Sequence, residues 1–264
     1  MSERPTPRLS RRWKIVIVSV VFASAAGAFG IYWFLSSDPP PPVDIEAIAD
    51  LASTTSTTVA SDTEATLPAD PDEEPLGSPE GSWIVDTSVG EFSVTEETAA
   101  SFVGFRVDEV LRGIGSTTAV GRTPLVDGSL EIEGTTLLAV EIVADLTALV
   151  SNESRRDGAV QRSLDTRTHR TTVFTLAEPI DLGDGATEGE IVRATARGTL
   201  TVKGITREVE VPIEAQGIGD RILVVGSLTI FFDDYDVTPP SAAAVLSVED
   251  HGIIEFQLWF SRTP

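Results

Sequence analysis

Gly198-Thr199-Leu200-Thr201-Val202-Lys203-Gly204-Ile205-Thr206-Arg207-Glu208-Val209-Glu210-Val211-Pro212 carries the alternation that decides the fold. Before Lys203-Gly204, Leu200 and Val202 alternate with Thr199 and Thr201. After it, Val209, Val211 and Ile213 alternate with Glu208, Glu210 and Glu214. Successive side chains of a strand point to opposite faces, so this is a β-hairpin with one apolar and one polar face. Gly204 supplies the positive φ of a tight connection, which other residues adopt only under strain.

The same period of two recurs outward from the hairpin. Val103, Phe105 and Val107 share one parity, as do Leu138, Val140, Ile142, Ala144 and Leu146. Val192, Ala194 and Ala196 lead into the hairpin; Leu228, Ile230 and Phe232, then Ile254, Phe256, Leu258 and Phe260, follow it. Turn signals at Gly128, Gly134, Gly183-Asp184-Gly185 and Gly217 to Asp220 separate these runs. Short alternating strands between such turns make an antiparallel barrel or sandwich. One helix is expected from Ser154 to about Leu164, where Ser154-Arg155-Arg156-Asp157 spells a capping box. Thr95 to Ala100 is a second, shorter helical candidate.

The wording of the hairpin, G-x-L-T-V-K-G-I-T-R-x-V-x-V, resembles the signature of the YceI-like family. Further stretches resemble that family in order: Trp83-Ile84-Val85-Asp86, Ser101 to Val107, the glycines at 113, 115 and 121, and Val140 to Leu146. Arg156-Asp157 and Arg162-Ser163 follow, resembling its R-D helix. The resemblance covers Gly81 to the C-terminus. It implies an all-β fold, an extended antiparallel lipocalin-like β-barrel with a short helix, that holds a polyisoprenoid chain without catalysis. Two stretches depart from the family pattern. Leu164 to Arg170 stands where an aromatic-aspartate pair and a proline are usual, and Phe231-Phe232-Asp233-Asp234-Tyr235-Asp236 replaces an arginine-led segment.

The 264 residues contain no cysteine, which removes disulfides and thiolate metal sites. Lysine occurs only at Lys14 and Lys203 while arginine is abundant, a usage that hints at a GC-rich bacterial genome. The formal charge of −22 is uneven: residues 81–264 hold 29 acidic against 14 basic groups, a net −15. Such a surface repels phosphate backbones, so no nucleic-acid partner is expected.

Residues 1–14 hold five basic groups and one acidic, and read as a cytoplasmic tail. Residues 15–35 are free of charge and long enough to cross ~30 Å of hydrocarbon, giving a transmembrane signal anchor with the N-terminus inside. Small residues around Ala23 to Ala28 leave cleavage and secretion as the competing reading. Residues 36–80 hold eleven acids, no bases and many Pro, Ser and Thr residues, the composition of a disordered linker. Residues 81–264 form the β-barrel domain, which this arrangement places outside the cytoplasm at the cell membrane.

A barrel interior takes either packed side chains or a ligand, and alternation alone does not separate the two. If it holds a lipid, the lining residues are Phe105, Val107, Leu138, Val140, Ile142 and Phe174, together with Leu228, Ile230, Phe232, Tyr235, Phe256 and Leu258. Arg156 and Arg162 are candidates to meet a polar or phosphorylated headgroup at the mouth, since a guanidinium fork suits phosphate oxygens. His169 and His251 belong to no metal-binding spacing, Asp233, Asp234 and Asp236 lack a calcium-loop pattern, and no metal or other cofactor is expected.

No G-x-S-x-G is present, so catalysis is not expected. A glycosidase would need two carboxylates to converge in space, which a sequence does not display. The reading is therefore an extracytoplasmic, membrane-tethered, non-catalytic binding protein for an isoprenoid or other long-chain lipid, with a homodimer through an edge strand as a further option. The alternative is a β-sandwich adhesion or scaffold module with a filled core.

Overall fold

A computed structural model of the chain describes residues 39–58, 78–240 and 245–263. The expected tail and transmembrane helix lie outside the described residues, as does most of the expected linker. Among the described residues, no helix is long and apolar enough to cross a membrane.

The strands in chain order are β1 (Gly81–Asp86), β2 (Phe102–Leu111), β3 (Gly115–Thr123), β4 (Val126–Glu133), β5 (Thr136–Asp145), β6 (Val150–Ser151) and β7 (Thr171–Leu176). They continue with β8 (Ile180–Asp181), β9 (Val192–Val202), β10 (Ile205–Ile218), β11 (Arg221–Phe231), β12 (Val245–Val248) and β13 (His251–Arg262). The helices are α1 (Ile45–Thr58), α2 (Ser154–Ser163) and α3 (Gly185–Glu188).

The quoted stretch is the β9–β10 hairpin, paired from Val202↔Ile205 to Val192↔Ala215. Its two-residue turn has both Lys203 (φ 51°) and Gly204 (φ 75°) in the left-handed region. That geometry matches the twist of the flanking strands. The lysine accepts it with its ammonium bonded to the Asp236 carbonyl and 3.3 Å from the Asp236 carboxylate.

Pairing runs β1-β4-β5-β7-β9-β10-β11-β13, and β13 returns to β1, so eight antiparallel strands close into a barrel rather than two packed sheets. One edge of β13 is shared. Its first half pairs with β2 from Ile253↔Arg106 to Gln257↔Phe102, and its second half pairs with β1 from Trp259↔Asp86 to Arg262↔Trp83. At the handover the Ser101 hydroxyl donates to the Asp86 carbonyl at 2.7 Å and accepts from the Trp259 N–H at 2.9 Å. A side chain thus satisfies the backbone groups that a change of partner leaves open. Beyond the closed ring, β2 continues into β3 and β6, and α2 follows β6.

Three local expectations are corrected. The strand parity that placed Leu138 inward fails because β5 carries a bulge: Glu131 pairs with Ala139 and Ile132 with Leu137, leaving Leu138 between them. Leu137 turns inward at 6% exposure while Leu138 is 37% exposed. The capping box does not form, since the helix starts after Glu153 and Asp157 instead accepts from the Ser151 N–H at 2.8 Å and its hydroxyl at 2.6 Å. Thr95 to Ala100 is not helical; the Gln257 amide donates to the carbonyls of Thr98 and Ala100, and the Trp259 indole to that of Ala99.

A fourth correction concerns the expected linker, which is ordered from Pro39 to Thr58. Asp44 accepts from the Ala47 N–H at 3.0 Å and starts α1. Ile45 and Ile48, 1% and 2% exposed, pack on Leu223, Val225 and Trp259, with Leu51 and Ala52 beside them. Those partners lie on the outer face of β11 and β13, so α1 straps the outside of the barrel. Before it, the Arg106 guanidinium donates to the carbonyls of Pro40 and Pro41 at 2.8 and 3.3 Å. Composition failed here because a stripe of few apolar residues is enough when a complementary apolar face already exists.

Candidate functional site

Inward side chains of β4, β5, β7, β9, β10, β11 and β13 leave a cavity of about 150 Å³ along the barrel. Ile222 and Leu228 both line it, six residues apart on β11, a span of about 20 Å at the strand rise. Its wall is hydrocarbon and aromatic apart from Thr172, Gln216 and Glu190. The Thr172 hydroxyl is bonded to the Thr201 carbonyl at 2.8 Å, and the Gln216 amide to that of Gly189 at 3.2 Å. Of the described residues lining it, only Glu190 is ionisable. Because Glu190 is exposed, the cavity opens where it stands, beside α3, Leu182, Pro79 and the end of β10.

The other end is closed. Leu200, Val202 and Tyr235 form a cluster with Leu164, Ile205, Ile230 and Val237 around the hairpin turn. Tyr235 is 2% exposed, and burial, with the nearby Asp234 charge, pushes its phenol above the usual range. Leu164, just past α2, also reaches the neighbouring cluster of Leu146, Leu149, Val160 and Phe105.

Six of the twelve expected lipid-site residues line the cavity: Val140, Ile142, Phe174, Leu228, Phe256 and Leu258. The others do not. Ile230 and Tyr235 belong to the closed end, and Phe105 packs beneath α2, its ring against Gly121. Val107 and Phe232 meet over Gly252, where an added Cβ would lie 2.9 and 3.1 Å from them. Leu138 is the bulged, outward residue. The sequence reading passed over Leu130 and Ile132 of β4, whose L-E-I-E alternation was a usable signal, and over Leu137, which had none.

Neither expected headgroup arginine lines the cavity. Arg156 bonds the Asn152 amide oxygen at 3.0 Å and pairs with Glu109; burial lifts the Glu109 carboxyl above the usual range, opposed by that arginine. Arg162 is exposed on α2, at the end away from Glu190. His169 sits under the hairpin turn, within 2.7 Å of where a Gly204 Cβ would be. His251 shares a hydrogen bond with Asp250 at 2.9 Å. Among the described residues, one set of metal-ligand types converges, the consecutive surface residues Glu249, Asp250 and His251.

A closed antiparallel barrel around an apolar, one-ended cavity defines a lipocalin-like protein. Residues 95–260 match the YceI-like domain, and the chain belongs to that family. Its fold is similar to "a polyisoprenoid binding domain from Saccharophagus degradans implicated in plant cell wall breakdown", at 19% identity over 69% of this chain and 98% of that one, with a TM-score of 0.52. BcnA of Burkholderia cenocepacia is 17% identical over 60% of this chain and 95% of its own, with a TM-score of 0.47. The YCEI protein of Campylobacter jejuni is 12% identical over 55% and 85%, with a TM-score of 0.46. No curated protein matches the chain. The strap formed by residues 39–58 lies outside the family match.

Proposed function

We propose that the chain is a non-catalytic binding protein that takes up a polyisoprenoid or similar long-chain amphiphile through the Glu190 end of its barrel. The observation that carries this reading is the hydrocarbon wall from Pro79 to Leu200, in which Glu190, at the opening, is the one ionisable group among the described residues. Each buried methylene contributes about 0.8 kcal/mol, so each isoprene-sized unit of roughly five carbons taken into the cavity gains about 4 kcal/mol before the cost of immobilising it. Chain length then supplies affinity without a polar grip. The Saccharophagus domain, named for polyisoprenoid binding, supports the same ligand class.

Cellular placement is part of the proposal and rests on sequence: a basic tail, an uncharged run at 15–35 and an acidic sequel put the barrel outside the cytoplasm, tethered to the membrane. There it would sequester a lipid or hand it on.

The test is to purify the full chain in mild detergent from a bacterial host, extract it with organic solvent and identify the extract by mass spectrometry. A stoichiometric long-chain lipid is expected. Phe256→Asp, which places a charge on the cavity wall, should abolish it, and Leu138→Asp, on the outward bulge, should not. An extract without lipid after incubation with polyprenols and quinones would overturn the reading.

A further inference from the structure

The opening of the cavity is negatively charged. Among the described residues lining it, Glu190 alone is ionisable; it is exposed, with its Oε2 lying 3.4 Å from where a Gly185 Cβ would stand. Among the described residues no side chain pairs with its carboxylate. Asp181 and Asp184 are exposed on the same loop. The Asp181 carboxylate accepts from the Gly183 N–H at 3.0 Å.

Register puts three described arginines at this end of the barrel, and each is engaged elsewhere. Arg193 bonds Glu214 at 2.6 Å. Arg221 bonds Asp86 at 2.9 Å and Asp220 at 3.1 Å. Arg262 lies 4.5 Å over the Trp83 ring and donates to the carbonyls of Ser78, at 2.8 Å, and Glu80. None of the three lines the cavity, and the arginines of α2 stand at the closed end.

From this geometry we infer that the barrel selects a chain ending in an uncharged hydrogen-bond donor, a hydroxyl being the simplest, and discriminates against the phosphorylated form. The inference deepens the lipid-binding reading and rests on it. An apolar wall binds both forms equally through the chain, so discrimination falls to the head. A hydroxyl donates to the Glu190 carboxylate. A diphosphate meets like charge, the three described arginines at this end being engaged with other partners, and like charges across a contact act as a rejection device. Interaction at the rim is screened by salt, so discrimination weakens as ionic strength rises.

The test is competition for a fluorescent fatty-acyl probe bound to the detergent-solubilised full chain, using geranylgeraniol and geranylgeranyl diphosphate. The alcohol should displace the probe at about tenfold lower concentration than the diphosphate at low salt. Glu190→Gln should narrow that ratio, and Glu190→Arg should reverse it. Glu190 is exposed, so both variants should melt as the parent does. A diphosphate that competes as well as the alcohol overturns the inference while leaving lipid binding intact. A preference unchanged in Glu190→Gln overturns the assignment to Glu190. Failure of both compounds to displace a bound probe overturns the inference, and failure of the probe itself to bind removes the lipid reading and this inference with it.

Discussion

The Arg122 guanidinium and the Glu255 carboxylate form an ion pair within the protein: Nε and Nη2 both donate to Oε1, at 3.2 and 3.0 Å, with the side chains 3% and 1% exposed. Arg106 reaches the other oxygen at 3.5 Å, and the ring of Phe102 lies 4.1 Å beneath Arg122. Burial pulls the Arg122 pKa down, and Glu255 opposes that. Removing one partner leaves a buried charge unanswered. Glu255→Gln should therefore cost about 3–5 kcal/mol in denaturant unfolding of the full chain. Replacing Arg122 by Met and Glu255 by Leu together should cost less than Glu255→Gln alone.

Acid stability should depend on Asp86. Burial pushes its carboxyl upward, but hydrogen bonds from Ser88 and Arg221 outweigh that and leave it below its ordinary value of 3.8. The folded state then holds its proton less tightly than the unfolded state. The contribution is complete above the ordinary value and is lost as pH falls below it, through the lowered folded-state value. Asp145, lowered by hydrogen bonds from Thr147, acts in the same direction. Glu109, raised by burial, acts oppositely, stabilising most at low pH and less as pH rises through its raised value. Unfolding of Asp86→Asn in denaturant should show a flatter acid limb below about pH 4 than the parent.

Gly204 should tolerate no side chain. Its φ is 75°, and an added Cβ would stand 2.7 Å from the His169 ring. Gly204→Ala should destabilise by about 1–3 kcal/mol. His169→Ala in the same chain should recover the steric part and not the backbone part, which melting of the single and double variants separates.

The outer strap should behave as part of the domain. Ile48 is 2% exposed against Leu223, Val225 and Trp259, so Ile48→Ala should cost about 2–4 kcal/mol in denaturant unfolding. Glu46→Ala, on the exposed side of the same helix, should stay within about 0.5 kcal/mol. Neither should change lipid loading, because the strap packs on the outside of the wall. Equal stabilities for the two variants would mean that α1 does not dock in solution.

The splice at Ser101 should be costly for its size. Its hydroxyl serves the Asp86 carbonyl and the buried Trp259 N–H, so Ser101→Ala leaves a buried donor unpaired. The loss should be about 1–3 kcal/mol. Faster hydrogen exchange at the Trp259 amide would locate it at the handover.

The sequence by itself determined the cores of β2, β5, β9, β10, β11 and β13, the tight Lys203-Gly204 turn and the helix after Ser154, because alternation and turn chemistry are properties of neighbouring residues. It also carried an unread sign of the strap. Ile222-Leu223-Val224-Val225 and Leu258-Trp259-Phe260 are apolar without alternation, as strands buried on both faces must be. Only the tertiary structure decided that Leu137 rather than Leu138 faces the cavity, because a bulge is set by register against β4. It alone decided that β13 divides one edge between β1 and β2, which join it from more than 140 residues away in sequence. It also placed Glu190 at the opening and Arg156 at the closed end. A side chain's parity is local, whereas which end of a barrel it occupies depends on how distant strands are laid side by side.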